Sequence, residues 1–237
     1  MRSVYELTLR QLSGRWRLAI MALLTSLPVI ITMLMLADEQ AASLAEFEVG
    51  ILGAMLAGSI TPLVVLAIAG AAFGNELEDR TLANLTLSPL PRWKIALPKL
   101  LATISIAVPF TLVSALVTSH FAFLADPLAT TSVLVAAFVV VALYASAFVW
   151  LGLVSTQAIG IGLLYIVLWE GFFSGFVSGV RFLSIRFYAI AIMHGIDPRR
   201  FAQHDHVPLG AAIALSLLIF GGFLWLTIRR LRRMDVP

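Results

Sequence analysis

Apolar residues fill residues 18–37, 49–74, 100–124, 128–169 and 208–228 with no Asp, Glu, Lys or Arg among them, and charged or proline-rich intervals separate these runs. At about 1.5 Å per helical residue, some twenty residues supply the roughly 30 Å of a bilayer's hydrocarbon core. Residues 18–37, 49–74, 100–124 and 208–228 therefore each predict one membrane-spanning helix. The 42 residues of 128–169 exceed a single crossing. They predict two helices, over 129–153 and 158–180, joined by a tight turn at Ser155, Thr156 and Gln157, the most polar point of the run. The pattern thus predicts an all-α integral membrane protein, one transmembrane domain of six spans. Pro28 and Pro62 lie inside the first two spans. Gly70 and Gly74, four apart, have the spacing that lets a second helix backbone come close.

The intervals between the runs are equally patterned. Residues 1–17 hold Arg2, Arg10, Arg15 and Arg17 against the single acid Glu6. Wound as a helix, they put Tyr5, Leu9, Leu12 and Trp16 on one face, as in a helix lying on the inner leaflet. Residues 38–48 carry four acids and no base, which suits an external loop. In residues 75–99, the charges Glu76, Glu78, Asp79 and Arg80 end the second apolar run abruptly. Leu82 and Leu85 then share one face of a short helix, and Pro89 and Pro91 close it. Arg92, Trp93, Lys94 and Lys99 follow, a cation-plus-tryptophan composition that anchors a helix at headgroup level.

Residues 181–207 mix Arg181, Arg186, Arg199 and Arg200 with Phe182, Phe187, Tyr188 and Phe201. Arg229, Arg230, Arg232 and Arg233 close the last span. With residues 75–99 and both termini on the cytoplasmic side, only the four arginines of 181–207 are external, leaving 12 of the 16 cations inside. That asymmetry predicts that both termini are cytoplasmic, and the expected location of this multi-pass chain is a prokaryotic plasma or inner membrane.

Composition agrees. Hydrophobic residues make up 60% and charged residues 12% of the 237, with a mean hydropathy of +0.99, which excludes an ordinary soluble domain. A net charge of +3 does not imply nucleic acid, because the cations flank apolar runs and are not gathered on a soluble face. The absence of cysteine removes disulfides and thiolate chemistry. There is no glycine-x-x-x-x-glycine-lysine phosphate loop, so ATP is not bound by that route. Ser174, in Gly-Phe-Phe-Ser-Gly, has no histidine partner in a later apolar span, and His194, His204 and His206 with Asp205 fall short of a ligand set. The chain reads as a non-enzyme with no cofactor and no metal of its own.

Glu170 is the one carboxylate inside a predicted span. If its helix continues to Val180 it is buried at membrane depth, at a cost of about 3 kcal/mol unless paired, protonated or wet. If the helix ends near Gly171 it is interfacial. Gly171, Gly175 and Gly179 recur every four residues, as a helix-packing groove or as the break of a re-entrant segment. Glu170 with these glycines is a candidate for the translocation path or for packing, and an ion-coupled carrier or channel built on Glu170 is one functional alternative.

At Glu76, Glu78, Asp79, Thr81, Leu82, Pro89, Arg92 and the run Lys99-Leu100-Leu101, the chain resembles the type-2 permeases of ABC exporters. Their cytoplasmic segment between the second and third membrane helices has acids, Thr-Leu, a proline and a basic residue at matching places. One departure is Arg80, where those permeases usually have glycine. The resemblance implies a permease subunit that pairs with a second permease copy and docks a separate ATPase subunit, which carries ATP and Mg. Glu76, Glu78, Asp79 and Arg80 would then make charged contacts to the ATPase or to the N-terminal helix, and Leu82 and Leu85 would enter the ATPase's groove. It also implies a small external cap of short or re-entrant helices over 181–207. The apolar spans suit a hydrophobic or amphipathic, drug- or lipid-like cargo, exported by alternating access. A membrane anchor that holds an ATPase without transporting anything is the remaining alternative.

Overall fold

The structure, a computed structural model, describes residues 2–37, 47–78, 91–124, 126–173, 184–201 and 207–233. Among these residues the regular structure is entirely helical. Helix α1 spans Arg2–Leu12, α2 Arg15–Ala37, α3 Phe47–Ile60, α4 Thr61–Glu78, α5 Trp93–Ala122, α6 Pro127–Val154, α7 Ala158–Tyr165, α8 Ile166–Phe173, α9 Ile185–Ile196 and α10 Leu209–Arg233. Helices α3 and α8 are π-wound; α3 runs directly into α4 and α7 into α8. Among the described residues, five helical stretches are long and apolar enough to cross a membrane: Arg15–Ala37, Phe47–Gly74, Trp93–Ala122, Pro127–Val154 and Leu209–Arg233.

The core lies along α4 and α6. Helix α6 packs against α4, α5, α9 and α10, while α2 and α10 keep most of their surface outward. What makes α6 central is a stripe of small residues, Ala129, Ser132, Ala136, Ala137, Ala145 and Gly152, all buried. Gly152 marks a close backbone crossing: a β-carbon there would stand 2.9 Å from the Gly70 carbonyl oxygen and 3.2 Å from that of Ala69. Of the two glycines singled out in the second span, Gly70 is thus at a helix contact, whereas a β-carbon at Gly74 would meet nothing within 4 Å. Gly152→Leu is expected to force α4 and α6 apart and to cost about 1–3 kcal/mol as overpacking, read as a lower melting temperature in detergent.

The predicted boundaries shift in instructive ways. The turn at Ser155–Gln157 is present, held by the Gln157 amide donating to Ser155 Oγ at 3.1 Å. The fourth helix starts at Pro127 rather than 129 because Asp126 caps it, accepting from the Leu128 and Ala129 amides. The third begins at Trp93 and not at 100: Pro98 is accommodated inside the helix. The N-terminal stretch breaks at Ser13 and Gly14. That break separates Trp16, 83% exposed, from the face of fully buried Leu12, so the predicted four-residue face does not form. Tyr5 instead donates from α1 to Ser105 Oγ on α5 at 2.9 Å. Glu48, placed by its charge in an external loop, is buried in the first turn of α3. The last helix runs to Arg233, so three of the four closing arginines stand in its final turn.

Candidate functional site

Two polar clusters stand out among the described residues, one at each end of the bundle. At the end carrying residues 75–99, Glu76 lies in the last turns of α4 and Lys99 in the second turn of α5. Because α5 starts at Trp93, Lys99 faces α4, and its side chain is 2% exposed. Lys99 Nζ donates to both Glu76 carboxylate oxygens at 2.5 Å and to the Ala72 carbonyl oxygen, and stands 4.5 Å from the centre of the Phe73 ring. Lys99 is therefore not a headgroup anchor, as its neighbours suggested, but half of a buried ion pair. Arg92 immediately precedes α5, and Glu78 ends α4. Asp79, Arg80, Thr81, Leu82, Leu85 and Pro89 lie outside the described residues, as do Gly175 and Gly179.

At the opposite end, Glu170 on α8 is buried against other side chains, 1% exposed. It accepts from Tyr165 Oη at 3.2 Å, from Ser184 Oγ at 2.5 Å and from the Ile185 amide at 2.9 Å. Ile185 is the first residue of α9, and Ser184, at its N-cap, does not cap it with its own side chain. Glu170 takes that role from another helix, and its negative charge suits the positive end of the α9 dipole. Arg186 attracts the same carboxylate and donates to the Val49 carbonyl oxygen at 3.4 Å. Its side chain runs along Gly53 and Gly58 of α3, where β-carbons would stand 3.4 Å from Nε and 3.1 Å from Cδ. Gly171 is exposed, and among the described residues a β-carbon there would meet only the Ile166 carbonyl oxygen of its own helix, at 3.7 Å.

The far end of α9 is pinned separately. Phe201 packs edge-on against Phe123, which packs edge-on against Phe47, at centroid distances of 5.5 and 5.7 Å. His194 Nδ1 bonds the Phe201 carbonyl oxygen at 2.5 Å, which ties it into the turn after α9. His204 and His206 lie outside the described residues, and no group of three or more potential metal ligands occurs among those described. Arg200 pairs with Asp126 at 3.5 Å. Partial dehydration raises the Asp126 carboxyl, but the Leu128 and Ala129 amides with Arg200 and Arg199 outweigh it and hold the group below its ordinary 3.8. A carboxylate depressed in the folded state stabilises the fold above its unfolded pKa and loses that contribution as pH falls through the folded value. Asp126→Asn is expected to flatten the acid limb of a stability–pH curve below about pH 4, measured by thermal melting.

A third feature is an apolar cleft of about 520 Å³ between α2 and α5, walled by Thr25, Ser26, Ile30, Phe110, Val113 and Ser114 among others. No protein-family model matches the chain, and no curated protein matches it.

Proposed function

We propose that the chain is the permease subunit of an ATP-driven ABC exporter. The observation that carries the reading is the acidic segment from Glu76 to Arg92, with its Thr81-Leu82 and Pro89, inserted between the two helical rods α3–α4 and α5. Helix α5 has 30 residues, about 45 Å of rod against a core of roughly 30 Å, so it reaches past the hydrocarbon and carries the segment with it. In this reading α7 and α8 with residues 174–180 complete a sixth span, both termini are cytoplasmic, and α9 belongs to an external cap. A second permease copy completes the pathway. A separate ATPase subunit closes on ATP, pushes on the segment around Asp79 and Leu82, and rocks the spans between inward and outward access. Glu78, Asp79 and Arg80 meet the ATPase by charge, and Leu82 and Leu85 by burial. The apolar cleft between α2 and α5 suits a lipid- or drug-like cargo entering from the bilayer.

The ion-coupled alternative draws less support. Both Glu170 oxygens already accept hydrogen bonds from Tyr165, Ser184 and Ile185, so the carboxylate is committed to holding α9.

Reversal of both charges, Glu78→Lys with Asp79→Lys, is expected to reduce ATP-driven transport at least about tenfold in proteoliposomes, the loss of a contact worth about 1.4 kcal/mol or more. The permease should melt at an unchanged temperature. Undiminished transport would remove the segment from the mechanism, and transport driven by a proton gradient without ATP would favour the carrier.

A further inference from the structure

We infer that Glu76 and Lys99 form a clamp that makes the inner ends of α4 and α5 move as one body. The inference deepens the permease reading and takes from it only the direction of the push, from residues 79–90 into the two helices. Helix α4 ends at Glu78 and α5 begins at Trp93, so the two ends belong to separate helices well apart in the sequence. The ion pair sits just inside both ends. Its ammonium has three protons and meets three acceptors, the two Glu76 oxygens and the Ala72 carbonyl, which lie one turn apart on α4. Attachment at two successive turns restrains rotation as well as separation. Around the pair, Phe73, Ile95, Ala96 and Leu100 are all buried. Sliding α5 by one turn, about 5.4 Å, would take the ammonium off its Glu76 partner and leave an unpaired charge against buried side chains of α4 such as Phe73. A surface ion pair trades its partner for water and lets helices swing; a buried one has no such exchange. A push on the intervening segment is thus delivered to two spans together instead of being spent in a hinge between them.

The test uses the absence of native cysteine. Spin labels are placed at Leu77→Cys, partly exposed in the last turn of α4, and at exposed Trp93→Cys, and the inter-label distance distribution is measured in lipid nanodiscs. The parent pair is expected to give one narrow distribution. Glu76→Gln with Lys99→Met removes the clamp without stranding a buried charge, so the bundle stays folded, and the width should roughly double as the two ends open locally. The swap Glu76→Lys with Lys99→Glu should restore the narrow distribution. A double variant that melts cooperatively and still gives the parent width overturns the clamp. The measurement needs no ATPase: failure to co-purify one sinks the permease reading and leaves the distance result standing. With a co-purified ATPase, the double variant should transport severalfold less than the parent, and the charge swap should recover it.

Discussion

Lys99→Met is expected to destabilise the protein by about 3–5 kcal/mol, the range for breaking a buried ion pair from one side. The methionine replaces the aliphatic stem well enough, so the loss arises on the other partner. Glu76 keeps a carboxylate that is 12% exposed and loses the ammonium that served both of its oxygens. The Ala72 carbonyl loses a donor as well. Adding Glu76→Gln should recover most of the deficit, because an amide can be buried at far lower cost than an unpaired charge. The measurement is unfolding in detergent or nanodiscs of the two single variants, the double variant and the parent. A coupling energy near zero across that cycle would show that Lys99 contributes only bulk to the interface.

Glu170→Ala should be comparably severe but local. It strands the Ile185 amide and the Ser184 and Tyr165 hydroxyls, and leaves Arg186 without the carboxylate that attracts it. Each buried donor left unsatisfied costs about 1–3 kcal/mol, so the total is expected to be about 3 kcal/mol or more. Since α9 has twelve residues and relies on this carboxylate at its first turn, its amides should exchange hydrogen with water much faster, while those of α6 stay protected. Glu170→Gln retains an acceptor and should give an intermediate effect. Unchanged exchange in α9 would mean that its contacts with α6 and α10 hold it without the cap.

Both predictions concern residues whose importance the sequence announced only in part. Glu170 was conspicuous as a carboxylate in an apolar run; its partners Ser184 and Ile185, on a later helix, were not. Lys99 looked like one more cation in a basic interval, just before the apolar run that begins at Leu100. A proline near the start of a helix removes few of the hydrogen bonds, so the helix ran back to Trp93 and turned Lys99 towards Glu76. Arg186 carried no local sign that it would lie along Gly53 and Gly58, more than a hundred positions earlier.

The sequence by itself determined the class of the protein, five of its long apolar helices to within a few residues at most ends, and the turn at 155–157. Those features follow from run length, charge and turn-forming residues, all local and all needing no partner to act. Only the tertiary structure decided which face of each helix meets another. In a soluble helix the buried side is the apolar one, but here the side facing outward is apolar too: α6 buries Ala136 and Val140 while exposing Val135 and Phe138. With hydrophobicity equal all round, what sorts the faces is size, as at Gly152, and the rare charges that must find each other, as Lys99 finds Glu76.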